Sequence, residues 1–183
     1  MIALDRSLDA LRTIEGVSRI AARAESLPFR DGAFDLVFAQ LVFLWLRDAA
    51  RAVGECARVL APGGVLVALE PDYGGLIEHP PALALGDIWR AAITRAGGDP
   101  HAGPHLVAVL ARAGLAVETA FSPGLAPPDD DRFALLAGLP LLADERRRLD
   151  AARRADSDAH PAERIVHLPF FCIVATRGLA ATD

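Results

Sequence analysis

The sequence predicts an α/β fold: a mostly parallel sheet with helices on both faces and an antiparallel last strand. Short β-rich runs alternate with longer stretches whose apolar residues recur at helical spacing, the pattern of strands joined by crossover helices. The helical stretches stop at glycines, as at Gly16, Gly97 and Gly114. With 183 residues, 52% of them hydrophobic, the chain can build one sizeable core but not two ordinary ones, so a single domain over residues 1–183 is expected.

Each element has its own signal. Ile2 to Leu4 is a strand stub ending in Asp5, after which Ser7 can cap a helix that carries Leu8, Leu11 and Ile14 on one face and stops at Gly16. A strand from Val17 to Ala22 follows. Glu25 to Gly32, with Pro28 and an Asp31-Gly32 turn, is a loop delivering the chain into the strand Phe34 to Gln40, with Asp35 at its entrance. From Asp48 to Leu60 the positions Ala49, Ala52, Val53, Cys56, Val59 and Leu60 repeat at helical spacing. Pro62-Gly63-Gly64 reads as a structural turn that breaks this helix before the strand Val65 to Glu70. The Gly- and Pro-rich residues 71–80 read as a loop, Pro81 to Ala96 and Gly103 to Ala113 as helices, and Ala116 to Phe121 as a strand. Pro123 to Asp131 reads as an exposed connection. Helices over Asp131 to Leu142 and Asp144 to Asp156, a last strand from Arg164 to Thr176 and a frayed tail from Gly178 to Asp183 complete the chain.

Charge and composition exclude several function classes. All 19 basic residues are Arg, and against 24 acidic residues they leave a net charge of -5, which repels a phosphate backbone; nucleic acid is not expected as a partner. The longest apolar run, Leu41 to Leu46, is far short of the roughly 20 residues a membrane span needs, and no signal peptide opens the sequence. No membrane association and a cytoplasmic location are the expectations. Cys56 and Cys172 stand in apolar surroundings without metal-ligand spacing and read as buried packing residues. His101 and His105, at i and i+4, have a spacing that could suit a metal, but with no third ligand evident they read as polar residues at a helix start, and no metal is expected. The arginines of 146–148 and 153–154, interleaved with acids, read as a solvated helix face.

Three segments carry a family resemblance. The first is Ala24-Glu25-Ser26-Leu27-Pro28-Phe29 with Asp31-Gly32-Ala33-Phe34-Asp35-Leu36-Val37; the second is Glu55-Cys56-Ala57-Arg58-Val59-Leu60-Ala61-Pro62-Gly63-Gly64; the third is Glu70-Pro71-Asp72. In this order and spacing they resemble the class I S-adenosylmethionine-dependent methyltransferases, in particular the small-molecule subgroup that includes the quinone-biosynthesis type. The resemblance implies a Rossmann-like sheet, S-adenosylmethionine as cofactor and methyl transfer to a small-molecule acceptor. In such an open sheet, ligands lie outside the carboxyl ends of the strands, so Asp5, Glu25, Gln40 and Glu70 should converge on one crevice. Asp5, with Arg6 beside it, is placed to accept the ribose hydroxyls; otherwise it complements the dipole of the helix at Ser7. Ala24 and Glu25 would border the adenine, while Gln40 and Leu41 would face the methionine end. Arg23 stands where the family often has an Asp. Trp45 reads as core rather than as a substrate shelf.

In-line methyl transfer needs alignment and a dry pocket more than a dedicated nucleophile. If the acceptor needs a general base, His79, Asp72 and Tyr73 in the loop after the fifth family strand are the nearest candidates. Helical segments at 71–113 and 123–160 would shape the acceptor side. The family's glycine-rich loop lies about 20 residues before the ribose acid, whereas only four residues precede Asp5 here. Two accounts are open: a start assigned inside a longer reading frame, or a truncated remnant. Without that strand its two neighbours have unpaired edges, which invite pairing with another chain, so a true remnant would close the gap by strand repacking or as a homodimer. A catalytically inactive module acting by self-association or partner binding is the alternative function.

Overall fold

A computed structural model describes residues 1–121 and 131–179. The connection expected from Pro123 and the tail beyond Leu179 lie outside the described residues. β1 (Ile2–Asp5) leads into α1 (Leu8–Arg12), which Ser7 caps by accepting the Ala10 N–H at 3.4 Å. β2 (Ser18–Ala21) returns parallel to β1, with Asp5 opposite Ala21. β3 (Phe34–Gln40) is followed by a single 3₁₀ turn at Phe43–Trp45 and then α2 (Ala49–Val59), whose start is fixed by the Asp48 carboxylate accepting the Arg51 N–H at 2.9 Å.

The next strand, β4, runs from Leu60 to Pro71, so Pro62-Gly63-Gly64 is not the separate turn expected but an irregular opening of the strand itself. Its register against β3 jumps between Phe34 and Leu36, and Gly63 takes φ +79°, which a residue with a Cβ adopts only with strain. The expected loop 71–80 contains a three-residue strand, β5 (Ile77–His79), and the expected helix Pro81–Ala96 divides into a 3₁₀ turn at Pro81–Leu83 and α3 (Gly86–Arg95). α4 (Ala102–Arg112) and β6 (Ala116–Phe121) follow. The helix expected to reach Leu142 stops earlier, as α5 (Asp131–Ala137), and α6 spans Ala143–Asp158. The last strand is two pieces, β7 (Ile165–His167), which pairs antiparallel with β5, and β8 (Phe170–Thr176).

β3, β4, β8 and β6 form one sheet in that order, with β4 parallel to β3 and β8 antiparallel to both of its neighbours. The fold is thus the Rossmann-like α/β arrangement that the sequence predicts, with an antiparallel last strand, but the helices that pack the core of this sheet, α2 and α4, lie on one face of it rather than on both. β1 and β2 form their own pair, so β1 and β3 each have an edge without a strand partner among the described residues. The alternation of the strands assigns the core to one face. Ala39, Leu66, Ala68, Ile173 and Ala175 are buried with Ala52, Val53 and Cys56 of α2 and Leu106 and Leu110 of α4. On the opposite face Leu36 and Phe38 are both 59% exposed. A second cluster joins α3, α5 and α6 through Ile88, Trp89, Ile93, Phe133, Leu136 and Leu149. The arginines of 146–148 and 153–154 lie on the exposed side of α6, as expected. Cys56 is buried, but Cys172 is only half-buried, because it points to the open face of β8.

Candidate functional site

Three chain segments end at one hollow of about 720 Å³, within the range of small-molecule sites. The end of β1 supplies Leu4, Asp5, Arg6 and Ser7; the turn after β2 supplies Ala22 to Glu25; and the end of β3 supplies Gln40, Leu41 and Val42. The six residues expected to contact a cofactor, Asp5, Arg6, Ala24, Glu25, Gln40 and Leu41, all line it.

Their local partners define what each can do. Asp5 Oδ1 accepts the Ser7 N–H at 2.7 Å, so this carboxylate does serve the start of α1, with Oδ2 left for another donor. Glu25 is engaged by Arg23, 3.2 Å from its carboxylate, and its backbone carbonyl accepts from Arg51 Nε at 2.9 Å. The Arg that stands in place of the family's Asp thus neutralises the neighbouring acid. Leu41 has φ +55°, uncommon for a residue with a side chain, and its N–H donates to the Leu69 carbonyl at 3.0 Å. This local kink stands in the lining of the hollow itself.

Glu70 is the main correction to the expected crevice. It is 0% exposed and lines none of the hollow. Its carboxylate accepts the N–H groups of Val42 and Phe43 at 2.9 and 2.8 Å and that of Leu44 at 3.2 Å. Burial pushes its pKa up, and the three N–H donors oppose that rise. Glu70 therefore holds the wall of the site from behind. Trp45 is the second correction: at 43% exposed it is not core but lines the hollow, with Leu46, Arg47, Ala96 and Gly97. Of the helical segments expected on the acceptor side, only Ala96 and Gly97 reach it among the described residues. Sequence reading missed Arg47 as a wall residue and placed Trp45 in the core; their closeness in the chain to Gln40 and Leu41, just past the end of a strand, is the signal that could have found them.

The three candidate bases are elsewhere. Asp72 accepts from Gly74 N–H at 2.8 Å and stands 2.9 Å from His101 Nδ1; Tyr73 stacks on Trp89 with ring centroids 5.0 Å apart, and burial raises its hydroxyl pKa to about 12; His79 is in β5. None of them lines the hollow. No group of three or more His, Cys, Asp or Glu side chains among the described residues is arranged to hold a metal ion. No helix among them is long and apolar enough to cross a membrane.

The pattern of the methyltransferase domain family matches residues 1–68, the part of the chain that supplies all of the hollow's lining except Ala96 and Gly97. Over these residues the chain is similar to that family. Demethylmenaquinone methyltransferase of Thermus thermophilus is 41% identical over 95 residues, a stretch that covers 52% of this chain and 40% of that protein. The chain thus spans less than half the length of this methyltransferase relative. In fold, the YcgJ protein of Bacillus subtilis superposes with a TM-score of 0.66 over 98% of this chain and 82% of that one, at 18% identity. Phosphoethanolamine N-methyltransferase 2 of Haemonchus contortus, in complex with phosphomonomethylethanolamine and S-adenosylhomocysteine, superposes with a TM-score of 0.56 over 97% of this chain and 43% of that one, at 14% identity.

Proposed function

We propose that this protein binds S-adenosylmethionine in the hollow between the ends of β1, β2 and β3 and transfers its methyl group to a small-molecule acceptor. One observation carries the reading: the six residues named for the cofactor from sequence alone line a single cavity of suitable size. The sulfonium supplies an activated methyl group with a good leaving group, so the protein's part is to align two reactants and exclude water. Asp5 keeps Oδ2 for the ribose hydroxyls while Oδ1 stays on Ser7. Ala24 and Glu25 border the adenine through backbone groups and apolar contact, the Glu25 charge being offset by Arg23. Gln40 and Leu41 face the methionine end, and Trp45 with Arg47 forms the wall toward the acceptor. No side chain is assigned as a general base, because the candidate bases lie outside the cavity. The proteins named above differ in acceptor, one a quinone precursor by name and one bound to a phosphoamine. The alternative of an inactive remnant gains no support from these comparisons.

Isothermal titration with S-adenosylhomocysteine tests the reading. Saturable binding is expected, with Asp5→Ala weakening it at least tenfold while the circular dichroism spectrum is unchanged. Absence of heat at millimolar ligand overturns it.

A further inference from the structure

Beside the hollow, on the far side of the 96–101 turn, lies an open dish of about 770 Å³ whose lining includes Asp99, His101 and His105. The two imidazoles are neighbours there, with ring centroids 5.8 Å apart and planes tilted by 57°. Each has its Nδ1 taken by a different carboxylate: His101 Nδ1 stands 2.9 Å from Asp72 Oδ1, and His105 Nδ1 stands 2.7 Å from Asp99 Oδ2. This leaves the Nε2 of both rings as the atoms available to a ligand.

A carboxylate on one ring nitrogen and a cation on the other is the usual environment of a metal-bound histidine, because the carboxylate fixes the tautomer and raises the basicity of the free nitrogen. Here it occurs twice, on neighbouring turns of one helix start. The carboxylates are themselves fixed. Asp72 Oδ1 also accepts the Gly74 N–H at 2.8 Å, and Asp99 Oδ1 accepts the His101 N–H at 2.9 Å. A Cβ on Gly74 would fall 2.4 Å from His101 Cε1, so glycine is what lets the His101 ring lie against that turn. The Tyr73 N–H donates to the Pro100 carbonyl at 2.8 Å and joins the two turns that carry the aspartates. Both rings are therefore oriented before any ligand arrives.

The ring separation leaves room for a single ion between two Nε2 atoms turned toward it. A metal about 2.1 Å from each Nε2 lies about 3.2 Å from each ring centre, which puts the centres about 5.2 Å apart at a tetrahedral angle and about 5.8 Å apart at an angle near 130°. The observed 5.8 Å falls at the wide end of that range. The two aspartates offset a double positive charge and the nearby Arg90 of the same dish, and imidazole nitrogen selects zinc, nickel or copper over magnesium or calcium.

We propose that His101 and His105 bind a divalent transition-metal cation through their Nε2 atoms, with Asp72 and Asp99 as outer carboxylates and water completing the coordination. With two protein ligands the site stays open to solvent or to a further donor. Its occupation would order the turn that forms the rim of the neighbouring hollow.

The test is titration of the full chain with zinc chloride, read by calorimetry and by the long-range imidazole nitrogen spectrum. One equivalent is expected to bind, shifting the Nε2 resonances of two histidines. His105→Ala, at a side chain 64% exposed, should weaken binding at least tenfold without altering the fold, and Asp99→Asn should weaken it by about 10- to 100-fold. No zinc binding to the unaltered chain at millimolar concentration overturns the proposal. So does undiminished binding by His105→Ala, or zinc shifts confined to His79, His160 or His167. The nitrogen spectrum of the unaltered chain decides the matter even if a variant fails to fold, and neither measurement depends on the methyl-transfer reading.

Discussion

Glu70 Oε1 accepts the Phe43 N–H at 2.8 Å from a position closed to solvent, so a buried acid on β4 fixes the turn that follows β3. This turn carries Trp45 into the hollow, and Val42 and Leu44 are held by the same carboxylate. Replacing one carboxylate oxygen by an amide NH₂ sets donor against donor. Glu70→Gln is therefore expected to lower unfolding stability by about 1–3 kcal/mol and to loosen the turn. Urea unfolding measures the first effect and S-adenosylhomocysteine titration the second. An unchanged urea midpoint would show that the turn does not depend on this acid.

Trp45 and Trp89 report on different places. Trp89 is buried against Tyr73, whereas Trp45 lines the hollow. Ligand entering the hollow should change the emission of Trp45 alone. The expected outcome is a saturable fluorescence change with S-adenosylhomocysteine that persists in Trp89→Phe and disappears in Trp45→Phe. A response that follows Trp89 instead would place the ligand away from the β-strand ends.

What the sequence made legible, and what it hid, follows from how local each signal was. Asp5, Glu25 and Gln40 each stand just past a strand that its own few residues specify, and the layout of a parallel sheet then brings such ends together. Glu70 has the same local signature, yet its strand lies between β3 and β8, so its end is roofed by the 43–45 turn. Depth in the sheet is a tertiary property that periodicity does not encode. Trp45 was hidden by its neighbours: in the apolar run Leu41 to Leu46, Phe43 and Leu44 are buried, but one 3₁₀ turn rotates Trp45 outward. The pairing of β5 with β7 joins Ile77 to His167, three-residue strands too short to announce themselves.

Acid should undo the clasp that packs the 27–31 loop on α2. Glu55 accepts the Leu27 N–H at 2.7 Å and Arg58 Nε at 2.8 Å, while Arg58 also reaches the Phe29 carbonyl and Asp31, each at 2.8 Å. The Arg58 hydrogen bond, foremost, lowers the Glu55 pKa from 4.5 to about 2. A carboxyl depressed in the folded state binds fewer protons there than when unfolded. Its contribution is therefore complete above pH 4.5 and is lost as pH falls from there toward 2. Urea midpoints measured between neutral pH and pH 2.5 should fall steeply across this window in the unaltered protein. Glu55→Gln should lower the neutral-pH midpoint and flatten the acid limb. Parallel curves for the two proteins would remove Glu55 from the acid response.

The two thiols should separate by reactivity. Cys56 faces the core from α2, and burial, with the Glu55 charge adding to it, pushes its pKa up to about 11. At pH 8 it is both inaccessible and almost wholly protonated, and the thiolate is the form that attacks a disulfide reagent. Cys172 is half-buried on β8, where the sheet face is left open. Titration of the native protein with an aromatic disulfide should therefore show one reacting thiol, with the second appearing only in denaturant. Cys172→Ser should abolish the native phase, and Cys56→Ser should leave it intact. If the native phase instead follows Cys56, the packing of α2 against the sheet is looser than the buried positions of Ala52, Val53 and Cys56 require.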